Sequence, residues 1–151
     1  MNLTGEQNLD TLLIGGGFVA IVLAIAFVRN RESARLLNRF GKDAIMLSAL
    51  GVYYHGRKSE PGVPLRSVGA LALTQEGLYY RARYLSRELW IPGARISSLS
   101  VASEFKGKNM YENIVLIHFV DEAGAHDSAG FKIPHPERWS SAIRTLFLDQ
   151  N

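Results

Sequence analysis

Residues 11 to 28 read TLLIGGGFVAIVLAIAFV, a run without a charged side chain, bounded by Asp10 before it and Arg29 after it. Wound as an α-helix it would rise about 27 Å, close to the roughly 30 Å of a bilayer's hydrocarbon core. A helix inside a soluble protein keeps a polar face, and this run has none. A cleaved signal peptide wants basic residues ahead of its apolar stretch, whereas Glu6 and Asp10 stand there instead. The run therefore reads as a membrane-spanning helix. It divides the 151 residues into an extracytoplasmic segment 1–10, the span 11–28, a basic juxtamembrane neck 29–43 and a soluble domain 44–151.

Charge sets the expected orientation. Arg29, Arg31, Arg35, Arg39 and Lys42 all follow the span and nothing basic precedes it, so the soluble domain should lie on the cytoplasmic side of the cell membrane with the N-terminus outside. The neck, RNRESARLLNRFGKD, keeps helical spacing: Arg31, Arg35 and Arg39 recur at every fourth position while Leu36, Leu37 and Phe40 gather beside them. Such a helix can lie among anionic headgroups or pack on the domain, and Gly41 is its natural stop. Within the span, Gly16, Ala20 and Ala24 form a stripe of small residues along which a second helix could approach, although glycine and alanine are common in membrane helices anyway.

From Ala44 the apolar period becomes strand-like. Expected strands are 44–54, 68–74, 78–84, 88–91, 95–102, 114–120 and 129–133, separated by turn signals such as Gln75-Glu76-Gly77 and Pro92-Gly93. Pro134 and Pro136 then introduce a helix whose Trp139, Ala142, Ile143, Leu146 and Phe147 share one stripe. The expected fold class is mainly β: one transmembrane helix, then a seven-stranded antiparallel sandwich or barrel capped by a C-terminal helix.

That element order, together with GALALTQEGLYYRARYLSRELWIPGARISSLSV (69–101) and IVLIHFVDEAGAHDSAGFKIPHPERWSSAIRTL (114–146), resembles the pleckstrin-homology (PH) domain over residues 44 to 148. The nearest type is a bacterial membrane-anchored protein with a PH-like cytoplasmic domain. The resemblance implies that a phosphoinositide would be held by basic residues around the first loop, where this chain offers His55, Arg57, Lys58 and Arg66. The basic-x-Arg element is missing after Arg66, and Asp121, Glu122 and Asp127 sit in the loop that would close the pocket and repel phosphate. A PH-like sandwich can also take a peptide along its fifth strand beside the last helix, here Ser97 to Ala102.

No grouping carries catalysis. There are no cysteines, which removes disulfides, thiolate metal sites and cysteine nucleophiles. His55, His118, His126 and His135 lack metal-ligand spacing, and Gly15-Gly16-Gly17 lacks the Lys-Ser/Thr of a phosphate loop. No cofactor is implied, and a net charge of +3, concentrated in the neck, is too local for nucleic acid. The expected function is a non-catalytic, membrane-tethered interaction module with a protein partner or a second copy of itself. The alternative is a sensor of anionic lipid through Arg29, Arg31, Arg35, Arg39, Arg57, Lys58 and Arg66.

Overall fold

The structure, a computed structural model, describes residues 3–62 and 65–150; Met1 and Asn2 of the expected extracytoplasmic segment, part of the first loop and the last residue lie outside it. Span and neck form one unbroken helix, α1 (Leu3–Phe40), of 38 residues. Its apolar window is long enough to cross a membrane and none of it is buried against the rest of the chain. Leu12, Ile14 and Phe18 are typical, about 70% exposed. The helix stops where Gly41, at φ 77°, enters the left-handed region and gives its N–H to the Leu37 carbonyl at 2.8 Å, a glycine C-cap.

Seven antiparallel strands follow: β1 (Ile45–Arg57), β2 (Ser67–Thr74), β3 (Gly77–Ala82), β4 (Glu88–Pro92), β5 (Ile96–Phe105), β6 (Lys108–Val120) and β7 (His126–Lys132). They make one curled sheet in the order β4-β3-β2-β1-β7-β6-β5. The hairpin β5–β6 turns through Lys106 and Gly107, both at positive φ, the pairing that a two-residue turn needs to match strand twist. This hairpin is longer than its sequence suggests, because in 103–113 Phe105 is the one buried hydrophobic residue and no alternation marks the strands. The helix α2 (Pro136–Ile143) and a wider turn, Arg144–Leu148, close one end of the curl. There Gly93 leaves room for the Phe147 ring, since a Cβ at that position would run into it.

The core inside the curl alternates as strands require: Leu71 and Leu73, Leu78 and Tyr80, Val115 and Ile117, Ala129 and Phe131, with Trp139 and Ile143 from α2. Tyr54, Tyr80 and Phe131 stack on one another with centroids 4.8 to 5.8 Å apart. A second cluster lies on the outer face, where Ala70 and Ala72 of β2 and Tyr79 of β3 meet Leu36 and Phe40 of α1. Small side chains on β2 let the helix approach closely. Phe40 then packs edge-on to Tyr79 at 5.1 Å and stacks on Trp90 at 6.0 Å.

One turn up the helix, Glu32 reaches Arg83 through two hydrogen bonds, Nε–Oε1 at 2.8 Å and NH2–Oε2 at 3.0 Å. Glu32 is 4% exposed, so its charge is tolerated only because the guanidinium matches it. The neck is therefore a clamp on the sheet, which resolves the two arrangements that its sequence permits. Replacing Glu32 with Ala leaves Arg83 uncompensated beside the sheet. It should weaken docking by about 3 kcal/mol, the low end for a broken enclosed pair, since Arg83 keeps some solvent contact. Hydrogen exchange should then quicken at the amides of residues 33–40 while β2 and β3 stay protected; unchanged helix exchange would show that the pair does not hold the clamp.

Candidate functional site

The residues of interest lie in three places: the helix–sheet junction, the rim formed by the loops after β1, β3 and β6, and the free edge at β5. At the junction, Arg29 lines a cleft of about 430 Å³ with Ala24, Ile25 and Val28 on the helix and Leu50, Arg83 and Tyr84 on the domain. This sets the loop after β3 level with the Arg29 end of the apolar run. In that loop Tyr84 and Leu85 are exposed, as is Leu65, whose carbonyl accepts a 2.8 Å hydrogen bond from Arg87 NH1.

The expected lipid-contact residues do not form one patch. Arg39 turns onto the domain, 3.5 Å from Glu88 and over the Tyr79 ring at 4.4 Å. Arg35 lines a narrow crevice between Leu36 and Tyr79. Arg31 and Lys58 are exposed, and neither makes a side-chain ion pair among the described residues. Arg66 lies over the Tyr53 ring at 4.5 Å. Of the small-residue stripe, Ala24 faces the cleft, whereas Gly16 has open space around it. At about 100° per residue, Gly16 and Ala20 point about 160° away from the docked Leu36, on either side of the opposite face.

Arg57 is held internally. Its Nε donates to Asp127 Oδ2 at 2.7 Å, Asp121 lies 3.8 Å away, and the guanidinium sits over Phe119 at 5.5 Å. Asp127 also accepts from Ser59 N at 3.0 Å and from Ser59 Oγ at 2.5 Å. The acidic loop therefore neutralises Arg57 and ties down the first loop. Glu60 pairs with Arg87 and its carbonyl accepts from Lys106, fastening the same loop to the loop after β3 and to the β5–β6 turn.

Sequence reasoning missed one polar array. Ser100 Oγ lies 2.7 Å from His118 Nε2, and His118 Nδ1 lies 2.8 Å from Ser128 Oγ, a ladder across β5, β6 and β7. A nucleophile, base and orienting group would show those distances. Here the array lies across three neighbouring strands, Ser100 on β5, His118 on β6 and Ser128 on β7. It reads as a cross-strand hydrogen-bond ladder. Among the described residues no group of three metal-binding side chains converges.

β5 ends the sheet, so one side of its ten residues has no strand partner. Ser97, Ser98, Ser100 and Val101 are exposed along it, and the Arg144–Leu148 turn stands beside it.

No family model matches the chain, and no curated protein matches it. Among solved structures, the C-terminal domain of an unknown protein from Leishmania infantum is similar at 13% identity and TM-score 0.53, over 78% of this chain and 98% of that one. A chain of the 8S snRNP assembly intermediate is similar at 12% identity and TM-score 0.53, over 70% and 83%. At such identities the likeness concerns the fold alone.

The Asp127 array has a pH consequence. Burial alone would raise its pKa, but donors from Ser59, Ser128 and Arg57 outweigh burial and hold the carboxyl below its ordinary value. A depressed folded-state pKa gives stability that is whole above about pH 4 and drains as the pH falls through the lower folded value. Asp127→Asn should cost about 1–3 kcal/mol at neutral pH and flatten the acid limb of a denaturation series. An acid limb as steep as that of the unaltered protein would contradict this role.

Proposed function

We propose that the chain is a single-pass membrane protein whose PH-like domain is a non-catalytic docking module on the cytoplasmic side, taking a partner's extended segment along β5. The observation that carries this reading is the β5 edge, which pairs with no further strand among the described residues, ten residues without proline and with Glu104 its one charged side chain. Protected edges carry charges, prolines or a covering element, whereas serines and Val101 leave this one open to strand addition.

The mount supports the same reading. An apolar helix with no protein around it needs lipid as its solvent, and lipid burial of 11–28 leaves Arg29, Arg31 and Arg35 at the cytoplasmic boundary. Because α1 runs without a break into the clamp, the domain is held in one orientation and its edge is presented at a fixed height. A signal sequence removed by cleavage would sever this helix above its docked turns.

A second reading, contact with the anionic lipid surface, is favoured by Tyr84 beside Ala24 to Val28 and by the exposed Leu65 and Leu85 on the same rim. The two readings are compatible, since the β5 edge and this rim are different surfaces.

Photo-crosslinking groups placed at Ser98, Ser100 and Val101 in the full chain, in its native membrane, should give one common protein adduct. A group at Leu85 should give lipid adducts. Val101→Lys, which charges the edge, should abolish the protein adduct without changing the circular dichroism of the domain. Adducts that persist in that variant, or that form only away from β5, would overturn the docking assignment.

A further inference from the structure

We propose that the cleft between α1 and the sheet holds one phospholipid of the bilayer, with an acyl chain lying in the cleft and its phosphodiester beside Arg29. The inference rests on the membrane-anchored reading above and gives its lipid contact a built site. One wall is Ala24, Ile25 and Val28 of the helix, and the facing wall is Leu50, Gly51 and Tyr84 of the domain. A PH-like sheet without the docked helix would have no such cleft.

The cleft is a wedge. One stripe of α1 turns to the domain at every third or fourth residue: Ile25, Val28, Glu32, Leu36 and Phe40. Leu36 and Glu32 are 3% and 4% exposed, Val28 is half-buried, and Ile25 is 55% exposed. Helix and sheet therefore part toward the apolar run. The space between them is about 430 Å³, within the roughly 300–1,000 Å³ of ligand sites.

The sheet wall bends at the same level. β1 carries one surplus residue between the pairs Leu50–Ala70 and Val52–Gly69, and that residue is Gly51, at φ 72°. A glycine bulge of this kind bends its strand. A Cβ at Gly51 would meet nothing within 4 Å, so the glycine serves the bend and open space lies over it.

The walls and their opening select the occupant. Ala24, Ile25 and Val28 close the charge-free run, whose unburied helix takes lipid as its solvent. A wedge that opens from this run between apolar walls takes hydrocarbon, since water there would leave Ile25 and Leu50 wet. Charge then selects a phospholipid. Arg83 is committed to Glu32, whereas Arg29 lines the same cleft and makes no side-chain ion pair among the described residues. Its guanidinium meets the phosphodiester of a lipid whose chain runs past Ile25 and Ala24. Tyr84, exposed beside it, is an aromatic of the kind that sits at headgroup level.

The test uses the full chain in phosphatidylcholine nanodiscs doped with a phosphatidylglycerol that carries a photoreactive acyl chain, the adducts being mapped by mass spectrometry. Lipid that only surrounds the helix labels residues 11–28, whereas a chain in the cleft also labels residues 50–51, which is the expected result. Ala24→Phe and Ile25→Trp fill the wedge from exposed helix positions. Each should abolish the adducts at 50–51 while leaving those on the helix in place and hydrogen exchange at 33–40 unchanged. Leu23→Trp, on the opposite side of the helix from Ile25, should preserve them. Arg29→Gln should lower their yield about fivefold, the effect of one cation beside an anionic headgroup. Adducts confined to the helix would overturn the site and leave the anchor standing; no adducts anywhere would overturn both. Adducts at 50–51 that survive both wedge-filling variants, or a yield indifferent to Arg29→Gln, would also overturn the proposal.

Discussion

The Glu32–Arg83 pair and the seat of Leu36 on Ala70 and Ala72 decide what kind of molecule this is. Without them, the apolar helix and the sheet would be two bodies on a leash. With them, the long apolar helix and the sheet share one interface, and α1 keeps hydrogen-bonded turns from the apolar run to Phe40. An enclosed ion pair is seldom a large source of net stability, because taking both charges out of water costs most of what their attraction returns. Its effect is on register: slide the helix by one turn, and both Glu32 and Arg83 are left unmatched. Leu36 and Phe40 supply non-directional burial, and the ion pair selects which of several such burials is used.

The same geometry explains how the rim is organised. Arg57, Asp127 and Ser59 bind the first loop to the β6–β7 end, while Glu60, Arg87 and Lys106 bind it to the loop after β3 and the long hairpin. Charges that resemble a ligand-binding set in the sequence are thus spent on holding loops together. Arg31 and Lys58, by contrast, stay exposed and make no side-chain ion pair among the described residues.

Much of the architecture was legible because its signals are periodic. A charge-free apolar run, alternating strands punctuated by glycine and proline, and a Trp139-to-Phe147 stripe each report on their own neighbours in the sequence. The strand boundaries erred where the period is masked: in 103–113 the buried Phe105 stands among polar and glycine residues without an alternating pattern, so a long hairpin with a bulge looks like a loop. The helix clamp was half visible. Leu36 and Phe40 announced an apolar face, but its target, Ala70 and Ala72 on the outer side of β2, is recognisable only as a strand without a polar face. The roles of Arg57 and Asp127, separated by 70 residues, required the fold. His55 lay within a loop expected to be basic; that its Nε2 is buried and unpaired cannot be read from a sequence.

The account rests on one rigid junction between the lipid-facing helix and the sheet. Pulsed electron–electron resonance on the full chain in nanodiscs, with spin labels at Ala34→Cys on α1 and Glu137→Cys on α2, measures it directly. A single narrow distance distribution, unchanged between detergent and bilayer, is the predicted result. A broad distribution spanning tens of ångströms, as a flexible linker would produce, would contradict it.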